Sequence, residues 1–368
     1  MLVRRLSLTN LRCRGRLELT LGDGINVLVG PNGAGKTTVL EAAALALQGA
    51  TLRAGSVREM ISQGRDHLRV ELQLEDQRGT MTAAAAYGRD GTRRLTADGA
   101  LLEDPSRWQE ALPLRTFVPD DLRLIKGSPR RRRDYLDALA SRSHPDYESE
   151  LRRYDEALSQ RNVLLRGARG HCGSAEFEPW ETILARAGLA VCGLRAGTLA
   201  AFMDPFRRTH EELTGTPGEM LRLVYRTNAS GLDEDGYRRR LAEMRALDQQ
   251  RTYTQLGPHR DDLRLLRSGL DVRECASQGE QRMAVLTLVL AEWAELCAGP
   301  VKPLLLLDDV MSELDEERRR ALVAFVRRGG QVLITTTDLR YFTPAELESA
   351  TVIDLGDVGE GGDGGHGS

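Results

Sequence analysis

Gly30-Pro31-Asn32-Gly33-Ala34-Gly35-Lys36-Thr37-Thr38 follows the apolar run Ile25, Val27, Leu28, Val29 and precedes the helical pattern at 39–47. The order is strand, glycine loop, helix, and Gly30 to Thr37 fits the eight-residue P-loop pattern. Glycines let backbone N–H groups turn toward one point and let phosphate approach closely. The helix start adds open N–H donors and the positive end of a dipole. Gly30, Asn32, Gly33, Ala34, Gly35 and Thr38 therefore read as the cradle. The Lys36 ammonium reaches the β- and γ-phosphates, and the Thr37 hydroxyl is a Mg2+ ligand. The stretch implies a nucleoside triphosphate with Mg2+.

A second stretch completes this chemistry. Leu304–Leu307 reads as a buried strand, and it ends in Asp308-Asp309. A strand of an open α/β sheet delivers such acids to its carboxyl edge, where ligands bind. Asp308 is expected to hold the metal, and Asp309 to orient or deprotonate the attacking water. The long gap between Lys36 and Asp308 differs from compact GTPase-like or kinase-like proteins, which place these motifs closer. A large insertion between them is the layout of ABC-type ATPases of the chromosome-maintenance kind.

Bulk properties narrow the class. The chain has 368 residues, enough for two or three domains, and a net charge of -3 from 51 basic and 54 acidic residues. It carries no overall basic footprint for nucleic acid, so any such contact must be a local patch. Lysine occurs only at Lys36, Lys126 and Lys302, which makes its retention in the loop more telling. Cys13, Cys172, Cys192, Cys275 and Cys297 show no metal-ligand spacing, and scattered thiols fit a reducing cytosol. No apolar run approaches about 18 residues and the N-terminus lacks a signal-peptide pattern, so a cytoplasmic chain without a membrane span is expected.

Along the chain, Leu6/Leu8, Leu17/Leu19/Leu21 and Leu68/Val70/Leu72/Leu74 alternate with polar residues, and turn signals follow at Asp90-Gly91 and Asp98-Gly99. This predicts a small antiparallel sheet beside the P-loop core. From Pro119 to about Leu213 the periods are helical, with breaks expected at Gly167–Gly173 and Glu176–Pro179. Strands are expected at Met220–Tyr225 and around Leu263–Leu266, with a helix from Tyr237 to about Gln250 between them. A helix at Met283–Leu296, another at Glu316–Arg328, and strands at Gln331–Thr335 and Ala350–Leu355 close the pattern. The expected fold is α/β: an ABC-type P-loop ATPase head, with a mixed sheet, helices and a small antiparallel sheet, and an inserted all-helical arm. The boundaries are 1–118 for the first part of the head, 119–215 for the arm, 216–355 for the rest of the head and 356–368 for a flexible acidic tail.

Ser277-Gln278-Gly279-Glu280-Gln281-Arg282 opens the apolar helix and alone reads as an N-cap. Beside the P-loop, the double-Asp strand and Ser312-Glu313-Leu314-Asp315, it resembles the ABC signature, with Ser277, Gln278, Gly279 and Gln281 offered to nucleotide. Asp315 falls where a D-loop aspartate would. The resemblance then becomes specific. Leu8–Arg12, Phe117–Leu122, Leu124–Pro129, Arg131–Arg133 with Tyr135-Leu136-Asp137, Gln160–Asn162, Gly257-Pro258-His259-Arg260-Asp261-Asp262, Ser277–Arg282, Leu305–Asp315 and Ile334–Asp338 occur in order. Over nearly its whole length the chain resembles the RecF family, ABC-type mediators of bacterial recombinational repair.

The resemblance implies an ATP-dependent homodimer in which the signature of one subunit closes on nucleotide held by the other. It implies a clamp on double-stranded DNA near single-strand/duplex junctions, slow hydrolysis that opens it, and RecR and RecO as partners in loading recombinase. Arg130, Arg131, Arg132 and Arg133 form the densest basic run and are the candidate phosphate-backbone contact, the alternative being a solvated helix face. Thr337 stands at the position of the switch histidine of transporter ATPases and joins Lys36 and Asp309 as a candidate catalytic residue. Asn10-Leu11-Arg12-Cys13-Arg14 departs from the family's Phe and Asn-Tyr, which reads as a packing change. His259 in its turn reads as structural rather than as a metal ligand. Two other classes are a transporter ATPase subunit, disfavoured by the absent Leu-Ser-Gly-Gly-Gln and switch histidine, and the head of an SMC-like machine, which needs far longer coiled-coil arms.

Overall fold

The computed structural model describes residues 1–49, 51–52, 55–76, 79–102, 113–167 and 174–356. The chain begins β1 (Leu2–Leu11), β2 (Arg14–Thr20), β3 (Ile25–Val29), α1 (Lys36–Gln48), β4 (His67–Asp76), β5 (Gly79–Gly88), β6 (Arg93–Ala97), β7 (Ala100–Leu101) and β8 (Leu114–Phe117). Helices α2 (Pro129–Ser143), α3 (Tyr147–Gly167) and α4 (Ser174–Thr214) follow, then β9 (Leu221–Arg226), α5 (Glu234–Arg251), β10 (Asp262–Arg267), β11 (Leu270–Asp271) and α6 (Gln278–Cys297). It closes with β12 (Leu304–Leu307), α7 (Glu316–Arg327), β13 (Val332–Thr336) and β14 (Thr351–Asp354). These residues form two compact units, one of Met1–Asp121, Thr209–Thr216 and Arg282 onward, the other of Leu122–Arg208 and Pro217–Gln281.

The first unit holds two sheets. One is parallel throughout, in the order β14-β3-β13-β12-β8, and the other is antiparallel, β2-β1-β4-β5-β6-β7. The expected α/β head with an antiparallel sheet beside it is present, with the two pairing modes kept in separate sheets. In the antiparallel sheet Leu68, Val70, Leu72 and Leu74 are buried while Arg69 and Gln73 are exposed, because only one face is covered. Leu304–Leu307 is buried at every position, as a strand covered on both faces must be. Helix α1 is buried almost all round and shares one core with β1, β4, β5, β12 and β13. Its alanines Ala42, Ala43, Ala44 and Ala46 let a helix pack that closely between two layers. Since β3, β13 and β12 are adjacent and parallel, their carboxyl ends share one edge, and the P-loop and both acids follow there.

The second unit contains the expected helical segment, and α3 presents Tyr147, Tyr154, Arg161 and Leu165 inward, at helical spacing. Two expectations change. Residues 217–281, read from sequence as head, group with the helices, so this unit also contains the sheet β11-β10-β9. The cause is a shared core: Tyr154 and Ala157 of α3, Leu184 and Ala185 of α4, Tyr237 and Leu241 of α5, and Leu256 pack together. Arg161, fully buried, donates to Asp248 at 2.7 Å and to Glu181 at 3.2 Å, tying α3 to α5 and α4.

The break expected at Glu176–Pro179 is also absent, since α4 runs through both Pro179 and Pro205. Each proline forfeits one i→i−4 bond. A buried stripe of Phe177, Leu184, Val191, Leu199 and Phe206 outweighs that loss by packing. Among the described residues α4 is the one helix long and apolar enough to cross a bilayer, and half of that apolar window is buried inside the protein, as in a core helix. Cys172, most of the Gly167–Gly173 break and the tail beyond Gly356 lie outside the described residues.

Candidate nucleotide site

Gly33 and Gly35 both take positive φ, 86° and 82°, the region that favours glycine. Gly35 is the N-cap of α1, and no side chain caps that helix, so its first N–H groups stay open. The Lys36 ammonium donates to Gly30 O at 2.7 Å and Pro31 O at 2.9 Å. Burial lowers the Lys36 pKa from its ordinary value, and the nearby Asp309 and Asp308 oppose that shift. The loop is braced from the other sheet. The Arg14 guanidinium donates to Ala34 O and, at 2.9 Å, to Leu355 O, joining the P-loop to the end of β14. Arg12 makes two bonds, at 2.8 and 2.7 Å, to the buried Glu41 of α1. The departure at 10–14 is thus a set of loop and helix ties.

The strand edge supplies the acids. Thr37 Oγ1 donates to Asp308 Oδ1 and Oδ2 at 3.0 and 3.1 Å. Thr335, fully buried on β13, donates to Asp308 Oδ1 at 2.8 Å and accepts the Asp309 N–H at 2.8 Å. Asp309 has φ +49°, a left-handed conformation that costs an L-residue about 1–2 kcal/mol and that Asp tolerates better than most. Its Oδ1 is buried with no hydrogen-bond partner among the described residues. A cavity of about 290 Å³ is lined by Asn32, Gly33, Gly35, Lys36, Thr37, Thr38, Asp308, Asp309 and Thr337, together with Cys13 and Pro119. Sequence reasoning missed Cys13, Pro119 and Thr335. Thr335 is the first of three threonines in Ile334-Thr335-Thr336-Thr337, and nothing local says which hydroxyl turns toward the acids.

These residues fit a nucleoside triphosphate with Mg2+. Asp309, the Thr37–Asp308 pair and the uncapped helix end line one cavity with the Lys36 ammonium, and the Asp309 oxygen that lacks a partner among the described residues is buried beside it.

Other sequence-derived residues lie elsewhere. Asp315 is exposed and caps α7, its side chain accepting Arg318 N–H at 2.9 Å, and it does not line the cavity. Ser277 forms a reciprocal capping box with Glu280: Ser277 N–H donates to Glu280 Oε2 at 2.8 Å and Ser277 Oγ accepts Glu280 N–H at 3.3 Å. Ser277, Gln278 and Gly279 are exposed, whereas Gln281 is buried and donates to the carbonyls of Val272, Arg273 and Ala276. The Gln281 amide nitrogen therefore braces the turn before α6, while its Oε1 has no hydrogen-bond partner among the described residues.

The run Arg130–Arg133 is not the exposed basic face expected. Arg132 is buried and pairs with Asp262 through two bonds at 2.6 and 3.0 Å, and Arg133 donates to Asp261 O at 2.9 Å. The helix turns Arg132 inward, and β10 supplies the acid that neutralises it. Arg130 is the most exposed of the four. His259 is structural, as expected: Nε2 donates to Thr254 O at 2.9 Å and Nδ1 accepts the Tyr154 hydroxyl at 2.5 Å. Burial pushes its pKa down to about 4. No cluster of His, Cys, Asp and Glu among the described residues could hold a metal by itself.

Parallel sheet, glycine loop, paired acids and a helix-rich insertion between them define an ABC-type P-loop ATPase head. Residues 2–354 match the family model described as RecF/RecN/SMC N terminal domain. The chain is 35% identical over 360 residues to the "DNA replication and repair protein RecF" of Heliobacterium modesticaldum, covering 96% of each, and 36% identical over 355 residues to that of Pelotomaculum thermopropionicum, covering 93% and 95%. The solved "recombination mediator protein RecF-ATPrS in RecFOR pathway" superposes with a TM-score of 0.79 at 28% identity, covering 96% of each chain. An Smc head bound to the C-winged helix domain of ScpA shares the fold alone, with a TM-score of 0.56 at 15% identity, over 96% and 94% of the two chains. The chain belongs to the RecF family.

Proposed function

We propose that this chain is an ATP-dependent DNA-binding protein of recombinational repair, whose nucleotide state controls pairing of two copies. The observation that carries the reading is the convergence of Lys36, Thr37, Asp308 and Asp309 on one cavity. Solved relatives named RecF-ATP and RecF-ATPrS support ATP as the nucleotide. Lys36 and the open N–H groups of α1 hold the phosphates, Thr37 and Asp308 hold Mg2+, and Asp309 takes the proton side of an attacking water. Bound Mg2+ would supply neutralisation of the charge that develops on the transferred phosphoryl group. Thr337, at the cavity wall, orients water or phosphate but is too weak a base to deprotonate it.

Two copies close head to head, each offering its exposed Ser277-Gln278-Gly279 helix start to the nucleotide of the other. The closed pair clamps duplex DNA near single-strand gaps, hydrolysis is slow and DNA-stimulated, and RecO and RecR act with it in the cytoplasm. The segment 119–215 is the arm of this clamp. Its DNA contact shifts from Arg130–Arg133 to another surface. On the solvent face of the antiparallel sheet, Arg16, Thr9, Arg69, Ala86 and Arg94 lie in a single cross-strand row over β2, β1, β4, β5 and β6. Small side chains between exposed arginines let a phosphate backbone approach. Sedimentation with ATP, ADP or no nucleotide, with and without duplex DNA, tests the reading: dimers with ATP alone, stabilised by DNA, are expected. A monomer under every condition sinks it.

A further inference from the structure

We infer that Thr335 is the positioning residue that couples the two acids of the nucleotide site, an inference that rests on the ATPase reading above. Its hydroxyl has one proton and two lone pairs, and the structure uses both kinds of group in different directions. The proton goes to Asp308 Oδ1 at 2.8 Å, the same oxygen that Thr37 reaches at 3.0 Å. A lone pair takes the Asp309 N–H at 2.8 Å. One buried oxygen thus fixes the carboxylate of the first acid and the backbone of the second.

The need for such a tie follows from the backbone. Strand β12 ends at Leu307, and Asp309, two residues on, is already at φ +49°. The turn removes the Asp309 N–H from the sheet ladder, and a buried N–H without a partner is costly. Thr335 lies where β13 runs beside β12, with Ile334 opposite Leu307, so its side chain stands level with the acids. It supplies the partner that the ladder cannot. The Asp309 carboxylate is then aimed by a left-handed turn that Thr335 holds, and its own Oδ1 has no hydrogen-bond partner among the described residues that would restrain it. The neighbouring threonines do other work: Thr336 accepts Asp338 N–H at 3.2 Å, and Thr337 lines the cavity.

Thr335 touches neither the phosphates nor the cation in this scheme. It acts through Asp308 on metal binding and through Asp309 on hydrolysis. Replacing it should therefore leave metal-free nucleotide binding, which depends on Lys36 and the loop, and should weaken whatever Mg2+ adds.

The test compares Thr335→Val, which keeps the shape and removes the hydroxyl, with Thr335→Ser, which keeps the hydroxyl. A fluorescent ATP analogue is titrated in EDTA and over a Mg2+ series, and hydrolysis is measured in parallel. Thr335→Val is expected to bind the analogue normally in EDTA, to need about 10- to 100-fold more Mg2+ for tight binding, and to lose hydrolysis by a similar factor. Thr335→Ser should recover most of both. Should the Val variant not fold, Thr335→Ala carries the same comparison with less bulk. Equal Mg2+ dependence in Thr335→Val and wild type overturns the inference, as does a Ser variant as impaired as the Val variant, which would mark a packing role. A wild-type protein without Mg2+-dependent hydrolysis overturns the ATPase reading instead, while the Mg2+ titration of binding still decides the role of Thr335.

Discussion

The Thr37 hydroxyl donates to both carboxylate oxygens of Asp308, at 3.0 and 3.1 Å, although 271 positions separate the two residues. The contact is a consequence of sheet order. Strand β3 leads into the glycine loop and β12 into the acids, and β13 lies between them, parallel to both. Two hard oxygen donors of the kind Mg2+ takes are thus brought together by the parallel core. The helices inserted between the two motifs lengthen the chain without altering that edge.

Lys36 is the first test. Its ammonium already sits over the loop carbonyls Gly30 O and Pro31 O, a position that closes the loop around it. Lys36→Ala removes the charge that meets the phosphates and is expected to weaken ATP binding by at least about 100-fold, roughly 3 kcal/mol at a charge-assisted contact. Equilibrium titration with a fluorescent nucleotide measures it. An affinity equal to wild type would remove the P-loop assignment.

Asp309 separates binding from turnover. Asn is isosteric and also tolerates the left-handed conformation that Asp309 occupies at φ +49°, so Asp309→Asn changes charge with little backbone cost. The variant should bind ATP as wild type does, hydrolyse it about 100-fold or more slowly, and remain dimeric on DNA for longer. Single-turnover hydrolysis and dissociation from labelled duplex check both halves. Normal turnover would move the role to another group.

DNA contact can be assigned by salt dependence. Each phosphate contact contributes about 0.9 to the slope of log K against log salt. Arg16→Ala/Arg69→Ala/Arg94→Ala, all on the exposed face of the antiparallel sheet, should leave the thermal midpoint nearly unchanged and flatten that slope by about 2.7 per subunit, about 5.4 for a DNA-bound pair. Arg132→Ala should do the reverse, lowering stability by about 3 kcal/mol or more because Asp262 is left without its partner. An unchanged salt slope in the triple variant would clear the sheet face of any role in DNA binding.

Much of this was legible in the sequence because the signals are local. The P-loop, the apolar run into Asp308-Asp309 and the alternation at 68–74 each report their own element. The failures share a cause, which is a partner distant in sequence. Arg132 reads as basic surface until Asp262 of β10 is beside it. Residues 217–281 read as head until Tyr237 and Leu241 are found in one core with Tyr154. Pro179 reads as a helix end until the buried stripe of α4 overrides it. Gln281 reads as part of a nucleotide signature, and its position does not reveal that its amide nitrogen braces three carbonyls of the preceding turn.

Acid should weaken the second unit through His259. Its folded pKa is pushed to about 4 by burial, against about 6.5 when unfolded. The unfolded chain therefore binds the proton first as pH falls. Stability from this site is full above about 6.5, declines below it, and is lost by about 4, so at pH 5 roughly 2 kcal/mol is gone. Urea midpoints at pH 7.5 and 5 measure the loss, and His259→Gln should shrink the difference. A His259→Gln protein with the full wild-type pH dependence would remove His259 as the source of the effect.

The shared site is the claim on which the clamp depends, and Ser277 permits its test. Ser277 is exposed at the start of α6, and its own hydroxyl serves the capping box, so substitution costs about 1 kcal/mol of local stability and no core contact. If the Ser277 helix start serves the partner subunit, Lys36→Ala and Ser277→Arg are lesions that a mixed dimer segregates. One composite site then carries both lesions, and the other carries neither. An equimolar mixture gives mixed dimers in about half of the pairs, so about a quarter of all sites should be intact if association is random and symmetric. Hydrolysis by the mixture at about that fraction of wild type, from two proteins inactive alone, is the expected result, with crosslinking to confirm that mixed pairs form. A tethered dimer of one wild-type and one doubly substituted subunit is the converse control. It has no intact site if the helix start acts on the partner and one if it acts on its own subunit. Hydrolysis by that tethered pair, beyond exchange with wild-type pairs, would return Ser277 to its own chain and end the shared-site reading.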